Sequence, residues 1–229
     1  MAALVTDMRI IVRFSKGEEV RYTSHLDVQR LFQRAFRRAK LPLAYSQGFN
    51  PHPLMGFAAA LSVGHTSGAE WFDVKLKEPM DTDEFIKRVN AVLPKGFLVL
   101  DAIDAGEFSK SLTSLLVAAD YDIEIKGETD GLIEFISDML NGEIIVTKKT
   151  KGGIRDINIR PDIIAHKMCK TEEGILLRIR GRLNVDGGLN AELFVNAIRA
   201  KCGLRLIVNT HRRAMYGNGA FLPNIPKEI

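Results

Sequence analysis

The sequence predicts an α+β protein built from two ferredoxin-like (β-α-β-β-α-β) halves with antiparallel sheets. Three observations indicate this fold. Short β-branched runs alternate with amphipathic segments of helix length, turn formers separate them, and the second half repeats the order of the first less regularly. We expect the first half at residues 1–104, a linker at 105–115, and the second half, which carries an insertion, at 116–229.

The first half begins with a strand at residues 8–14, where β-branched residues dominate. Thr23 or Ser24 can cap the helix that follows, which we expect to run to about Lys40 before Pro42 stops it. An apolar run at 54–63, a strand at 71–76, a helix at 81–93 and a strand at 97–100 complete the half.

In the second half, the basic, glycine-containing stretch 148–159 predicts the insertion or hairpin. Strands are expected at 121–126, 143–146, 163–168, 174–183 and 204–208, and helices at 132–140 and 190–200.

The composition excludes several classes of protein. Hydrophobic residues make up 46% of the 229 residues and charged residues 26%, which is typical of a globular chain. Neither a membrane-spanning run nor a signal peptide is expected, so we predict a soluble, cytoplasmic protein without a membrane partner. The two cysteines, Cys169 and Cys202, are too few for an iron–sulfur cluster of its own, and the histidines lack metal-ligand spacing. We therefore predict no metal and no cofactor.

The first predicted helix carries an arginine face. Its apolar residues recur at steps of three and four, and the opposite face holds four arginines at i, i+4, i+7 and i+8. Like charges at these spacings repel one another, whereas guanidinium groups fit phosphate oxygens. The pattern fits either a solvated helix face or a phosphate-binding one. The four residues are Arg30, Arg34, Arg37 and Arg38.

A second basic row lies on the predicted strand 174–183. Arg178, Arg180 and Arg182 occur at every second position, so they share one face of the strand. They fit either the polar outer face of a half-buried sheet or a groove for a polyanion. Two further basic groups of the second half are Lys148, Lys149, Lys151, Arg155 and Arg160, and His211, Arg212 and Arg213.

The segment that follows the first helix holds a stiff loop, Gly48-Phe49-Asn50-Pro51-His52-Pro53, with Tyr45 just upstream. Phe49 either packs the loop onto the core or offers its ring to a nucleic-acid base, and His52 and Tyr45 join it as candidate RNA-binding residues.

His25 lies in the first turn of the helix, next to Tyr22 and Asp27. The side of the helix on which it falls favours a structural role. The alternative is acid–base catalysis on RNA by His25, assisted by Tyr22 or an arginine. No phosphate-binding loop, serine-hydrolase elbow, zinc-protease or dinucleotide-binding motif is present.

The segment 21–53, which contains RYTSHLD, LPLAYSQ and GFNPHP, closely resembles a bacterial family of uncharacterised proteins known as radical-SAM-associated or radical-SAM-linked. The resemblance covers most of the chain, and in the second half it rests on Asn158-Ile159-Arg160-Pro161. It implies a radical-SAM protein as partner and a place in RNA metabolism, but no settled activity.

The basic residue patterns predict an RNA-binding protein, and the resemblance implies that it is an accessory protein that acts with a radical-SAM enzyme in the modification or processing of tRNA or rRNA. Two alternatives stay open. One is a metal-independent endoribonuclease that uses His25, and the other is a protein–protein scaffold for the radical-SAM partner without RNA contact.

Overall fold

The computed structural model describes residues 7–127, 130–150, 152–202, 206–218 and 221–229. It confirms a mixed α+β protein with mostly antiparallel sheets. The chain divides into two compact units. Unit 1 comprises Met1–Leu116 with Gly217–Pro223, and unit 2 comprises Val117–Tyr216 with Asn224–Ile229. Among the described residues, no helix is both long and apolar enough to cross a bilayer.

Unit 1 follows the order strand, helix, strand, strand, helix, strand. Its strands lie in the spatial order β4-β1-β3-β2, and each of these neighbouring pairs is antiparallel. The elements are β1 (Met8–Lys16), α1 (His25–Arg38), β2 (Met55–Phe57), β3 (Thr66–Leu76), α2 (Thr82–Asn90) and β4 (Phe97–Asp104).

Aromatic rings fill the core of unit 1 where α1 packs on the sheet. Phe32 of α1 lies with its ring centroid 4.8 Å from that of Phe14 on β1 and 4.8 Å from that of Phe72 on β3. All three are almost fully buried. Since each buried phenylalanine contributes about 1.5–3 kcal/mol, this packing fixes which face of α1 meets solvent.

Strand β3 begins at Thr66, five residues before the strand predicted at 71–76. The early part was missed because it is polar and yet buried, with Ser67 2% and Glu70 3% exposed. Ser67 pairs with Lys16 of β1, and the Lys16 ammonium donates to the carbonyls of Arg21 at 2.8 Å and Thr23 at 3.0 Å. Burial lowers the pKa of Lys16. A buried lysine thus ties β1 to the segment that leads into α1.

The segment predicted as a linker, 105–115, lies within unit 1 and packs on its strands. The guanidinium of Arg9 on β1 donates to the carbonyls of Phe108 and Lys110, each at 2.9 Å, and pairs with Asp73 at 2.9 Å. A short 3-10 helix at Leu112–Leu115 then leads into β5.

Unit 2 repeats the strand arrangement of unit 1 with a hairpin added. Its first strand β5 lies between β11 and β9, and β8 and β10 pair with the other edge of β9. The hairpin forms a separate two-stranded sheet at the place of the predicted insertion. The elements are β5 (Leu116–Lys126), α3 (Leu132–Asn141), β6 (Ile145–Thr150), β7 (Gly153–Asn158), β8 (Ile163–Thr171), β9 (Gly174–Asn184), β10 (Gly187–Gly188), α4 (Ala191–Cys202) and β11 (Ile207–Gly217).

Two strands of unit 2 are longer than predicted. Strand β5 starts five residues before the predicted 121–126. Strand β11 extends to Gly217, well past the predicted 204–208, of which 204 and 205 lie outside the described residues. The basic run His211 to Arg213 masked this strand, because charged residues in succession do not show the usual apolar alternation.

Candidate nucleic-acid interface

The N-terminal end of α1 is closed by a cap. The Ser24 hydroxyl accepts a hydrogen bond from the backbone N–H of Asp27 at 3.2 Å and donates one to the Asp27 carboxylate at 2.6 Å. That hydroxyl is the main cause of a lowered pKa at Asp27, and the charges of Arg30 and Arg34 lower it further. The apolar face of the helix holds it to the core through Val28, Phe32, Ala35 and Phe36.

The C-terminal end of α1 receives a cation from α2. The guanidinium of Arg88 donates from Nε to the carbonyl of Ala39 at 3.0 Å and from Nη2 to that of Lys40 at 2.7 Å. A positive charge at this end of a helix offsets the negative end of its dipole. Because Arg88 fills this role, α1 does not need its own last-turn arginines there.

The four arginines of α1 lie on the surface of unit 1. Arg30 makes only a loose ion pair, 3.7 Å from Asp27, and both side chains are more than half exposed. The Nε of Arg37 donates to the carbonyl of Gln33 at 3.2 Å. Arg34 and Arg38 are exposed, and neither has an ion-pair partner among the residues that the structure describes. The helix therefore presents an uncompensated cationic face, which we call the α1 arginine face.

The stiff loop closes on itself as a small hairpin beside β3. The N–H of Ser46 donates to the carbonyl of His52, and the N–H of Leu54 donates to that of Ala44, each at 2.9 Å. This ladder directs the tip into solvent, and Phe49 there is fully exposed. The interpretation that Phe49 packs onto the core is therefore wrong.

The other two candidates of this loop differ in exposure. The His52 side chain is exposed, and its Nδ1 lies 2.9 Å from the Ser46 hydroxyl, which also accepts from the His52 backbone N–H at 3.1 Å. Tyr45 is half-buried and packs against the core of unit 1. The tip thus offers one aromatic ring and one imidazole to solvent.

Tyr22 and His25 flank the start of α1. Tyr22 is 76% exposed, and the guanidinium of Arg21 lies 5.4 Å from its ring centroid. The ring of His25 meets that of Phe57 edge-on at 5.2 Å, and its Nε2 lies 3.1 Å from the amide nitrogen of Gln29. His25 therefore packs at the rim of the core, whereas Tyr22 stands in solvent.

Two cavities of unit 1, of about 660 and 550 Å³, are lined neither by Phe49 and His52 of the loop tip nor by the start of α1, although Leu54 lines the second. Among the residues that the structure describes, no three His, Cys, Asp or Glu side chains are grouped so as to hold a metal ion.

The arginine row of β9 is not the open surface that the alternation suggested. Arg178, Arg180 and Arg182 do share one face, but Arg180 is 3% exposed, Arg178 is half-buried, and only Arg182 is exposed. The reason lies on β5, where Asp120 is directly opposite Arg180 and Asp122 directly opposite Arg178. As an RNA-binding residue, Arg180 is excluded by this burial.

Asp120 holds Arg180 in a bidentate ion pair. Nε donates to Oδ1 at 2.7 Å and Nη2 donates to Oδ2 at 2.9 Å. The same guanidinium also donates to the backbone carbonyls of Pro226 at 2.6 Å and Glu228 at 3.0 Å. Protein acceptors thus occupy all three of its nitrogens.

Two residues of β11 complete this cluster. The Tyr216 hydroxyl donates to Oδ2 of Asp120 at 2.8 Å, and Arg213 approaches the same oxygen at 3.1 Å. Burial, and then Asp120, raise the pKa of Tyr216. The cluster was missed in the sequence, although an acidic row at every second residue of β5, Asp120, Asp122 and Glu124, could have indicated it.

The other basic candidates of unit 2 differ in their surroundings, and Lys151 among them lies outside the described residues. Arg160 is structural, since its Nε donates to the carbonyl of Leu140 at the end of α3 and its Nη1 to that of Ile163 at 3.1 Å. Arg212 is buried beneath the ring of Tyr121, with its guanidinium 5.5 Å from the ring centroid. By contrast, Lys148, Lys149 and Arg155 are exposed on the β6–β7 hairpin.

Together, the fold and the exposed charge define an α+β protein with a cationic helix face and an aromatic loop on unit 1. Residues 9–189 match the family described as an uncharacterized protein conserved in bacteria (DUF2344). Because the match covers more than half of the chain, the protein belongs to this family.

Two further comparisons add little. No curated protein matches the chain. Among solved structures, a chain of the crystal structure of a Cbf5-Nop10-Gar1 complex is similar, with 12% identity and a TM-score of 0.48 over 90% of this chain. The similarity extends over 48% of that chain, so this protein spans about half of its length.

Proposed function

We propose that this protein is an RNA-binding accessory protein that acts with a radical-SAM enzyme in the modification or processing of tRNA or rRNA. The observation that carries the proposal is the α1 arginine face, which is exposed and has almost no compensating acid. Arginines four residues apart on one helix repel one another, and a row of phosphates would relieve that repulsion.

The spacing suits a polyanion better than a single anion. Arg30, Arg34 and Arg38 follow one stripe at intervals of about 6 Å, from a rise of about 1.5 Å per residue. A single carboxylate or phosphate could engage only one or two of them. A nucleic-acid backbone could engage the whole stripe.

The loop tip adds a contact of another kind. A fully exposed phenylalanine leaves its ring faces open to a partner, and nucleic-acid bases stack on aromatic rings. Because bases are accessible only where they are unpaired, Phe49 favours a single-stranded segment or loop of the RNA.

The strand order of the two units supports a ferredoxin-like fold. In both units the last strand lies beside the first, and the third lies between the first and the second, which is the strand order of a ferredoxin-like sheet. We infer two ferredoxin-like units, the second with the β6–β7 hairpin inserted. Fold alone assigns no function.

The radical-SAM partner is proposed from the resemblance of segment 21–53. A radical-SAM cluster needs three closely spaced cysteines, and this chain has two, 33 positions apart. In this proposal the partner therefore supplies the chemistry and this chain holds the RNA.

The test is RNA binding by the full chain at two salt concentrations, with the variant Arg34→Glu/Arg38→Glu beside it. Binding should weaken steeply with salt, and the variant should lose at least tenfold in affinity, since about two phosphate contacts are removed. The matched control is Lys77→Glu/Lys110→Glu, which makes the same charge change at exposed positions of unit 1 outside α1.

Equal loss in the variant and in the control would mean that only net charge matters and would contradict the proposal. No binding of RNA by the wild type would also sink it, and would favour a protein–protein scaffold for the radical-SAM partner. A further variant, Phe49→Ala, should weaken binding of a single strand by about 1–3 kcal/mol and leave stability unchanged.

A further inference from the structure

The β6–β7 hairpin of unit 2 has an anchored root. The side-chain oxygen of Asn158 accepts from the backbone N–H of Ile144 at 3.1 Å and from that of Arg160 at 3.0 Å. Next to it, the N–H of Ile159 donates to the carbonyl of Ile144 at 2.9 Å, and both isoleucines are buried at 2% exposure. The two strands are therefore held together at their base and joined to the core of unit 2.

Beyond the root and the buried Val146, the hairpin is largely exposed. The side chains of Ile145 and Ile154 are 53% and 73% exposed, and the neighbouring polar residues from Thr147 to Lys149 are exposed as well. Among the residues that the structure describes, strands β6 and β7 pair only with each other, as a two-stranded sheet. A two-stranded sheet is marginal by itself in water, so the anchored root is what keeps it formed.

The positive charges on the hairpin repel one another and so lower its stability. Lys148 lies directly opposite Arg155 across the two strands, so the two side chains share one face. Lys149 is exposed on the other face. Within the described part of the chain none of the three forms an ion pair, and the nearby Asp156 accepts instead from the Thr147 hydroxyl at 2.8 Å. Directly opposed like charges destabilise a strand pair unless an anion lies between them.

We propose that this hairpin is an arm that binds the phosphate backbone of double-stranded RNA. This inference rests on the proposed function and deepens it by naming a second RNA element. The major groove of B-form DNA admits a two-stranded ribbon, and basic side chains on such a ribbon contact phosphates. In an A-form duplex the corresponding contacts are made to phosphates and 2′-hydroxyls across the grooves.

Composition favours a duplex over a single strand here. Proteins that bind single strands combine basic residues with aromatic rings on which bases stack. Residues 145–158 contain no aromatic residue, whereas the loop of unit 1 carries the exposed Phe49. The arm can therefore neutralise phosphates but offers no platform for an unstacked base.

The experiment measures binding of the full chain to a blunt RNA duplex of about 16 base pairs and to one of its strands, over a range of salt. The variant is Lys148→Gln/Arg155→Gln. We expect duplex affinity to fall roughly tenfold at low salt, and the slope of log affinity against log salt to become shallower by about one to two. Single-strand affinity should change less than threefold.

Two matched variants accompany it. Lys167→Gln/Lys170→Gln removes the same charge from exposed positions on β8 of the same unit and should leave duplex affinity unchanged. Lys148→Arg/Arg155→Lys keeps the charge and should bind as the wild type does. The melting temperature of Lys148→Gln/Arg155→Gln should equal or exceed that of the wild type, because the opposed charges are gone.

Unchanged duplex affinity and slope in Lys148→Gln/Arg155→Gln would overturn the arm, while single-strand binding that depends on Arg34 and Arg38 would still support the proposed function. An equal loss on duplex and single strand would overturn the assignment to a duplex. If the wild type binds neither RNA, both proposals fail together, and that outcome differs from the first two.

Discussion

Two arginine rows of this protein look alike in the sequence and differ completely in their surroundings. On α1, Arg34 and Arg38 stand in solvent without an ion-pair partner among the described residues. On β9, Arg180 is buried against Asp120 and two backbone carbonyls. On an exposed helix face the nearest side chains belong to neighbouring turns of the same helix, whereas a residue of a paired strand has a neighbour directly across on the next strand. The partner strand, rather than the row itself, therefore decides whether a basic strand is a surface or a core element.

The largest expected effect on stability comes from removing Asp120, the acidic partner of Arg180 on β5. Asp120→Ala should lower the free energy of unfolding by about 3–5 kcal/mol, because it leaves the buried Arg180 without its counter-ion. Urea unfolding followed by circular dichroism measures it. Arg34→Ala is the control on the exposed row and should stay within about 0.5 kcal/mol of wild type. If both variants behave alike, the two rows do not differ in the way described.

A second test addresses the tyrosine of the same cluster. Tyr216→Phe removes the hydroxyl that donates to Asp120 at 2.8 Å and should lower the free energy of unfolding by about 1.5–3 kcal/mol at neutral pH. The folded-state pKa of Tyr216 is raised above its ordinary value of 10.0, first by burial and then by Asp120. The unfolded chain therefore releases this proton first, and the stability that the hydroxyl contributes falls as the pH rises from 10.0 through the folded pKa.

The measurement for Tyr216 is the difference in unfolding free energy between wild type and Tyr216→Phe from pH 8 to pH 11. Taking a difference cancels the other groups that titrate there, including Lys16, whose lowered pKa has the opposite effect on stability. A difference that stays constant over this range would contradict the raised pKa.

The smallest expected effects are changes in stability that differ in sign between the arginine row of α1 and that of β9. Arg34→Glu places an acid four residues from both Arg30 and Arg38, so at low salt it should raise the free energy of unfolding by about 0.5 kcal/mol. Arg178→Glu places an acid opposite Asp122 and should lower it by up to about 1 kcal/mol, since both groups are only partly buried. Thermal melts at two salt concentrations distinguish the two. If both variants changed the free energy of unfolding in the same direction, this would contradict the view that the strand row has acidic partners and the helix row has not.

The sequence predicted the elements better than their surroundings. A cap at Thr23 or Ser24, the apolar stripe of α1 and a hairpin near the basic stretch 148–159 follow from local patterns. The structure has the cap at Ser24, the stripe, and a hairpin formed by β6 and β7. The start of β3 was missed because Thr66 and Ser67 are polar residues in a buried strand. Arg180 was misplaced because its acid lies 60 positions earlier in the chain, and no local pattern links the two.

For the candidate interface too, local patterns predicted what depends on one element and missed what depends on contacts elsewhere. Exposure of the α1 arginine face could be predicted, since helical periodicity places those residues opposite the apolar stripe. The position of Phe49 could not, because it depends on how the loop from Ala44 to Leu54 hydrogen-bonds to itself.

The way the chain is shared between the units has a consequence for its biosynthesis. Unit 1 includes Gly217–Pro223, yet all of Val117–Tyr216, the bulk of unit 2, is translated before these residues. On the ribosome, unit 1 can begin to form from its first 116 residues but cannot be completed until unit 2 has almost fully emerged. A single cut after Leu116 would likewise leave unit 1 without its last segment, so its fragments are poor substitutes for the whole chain.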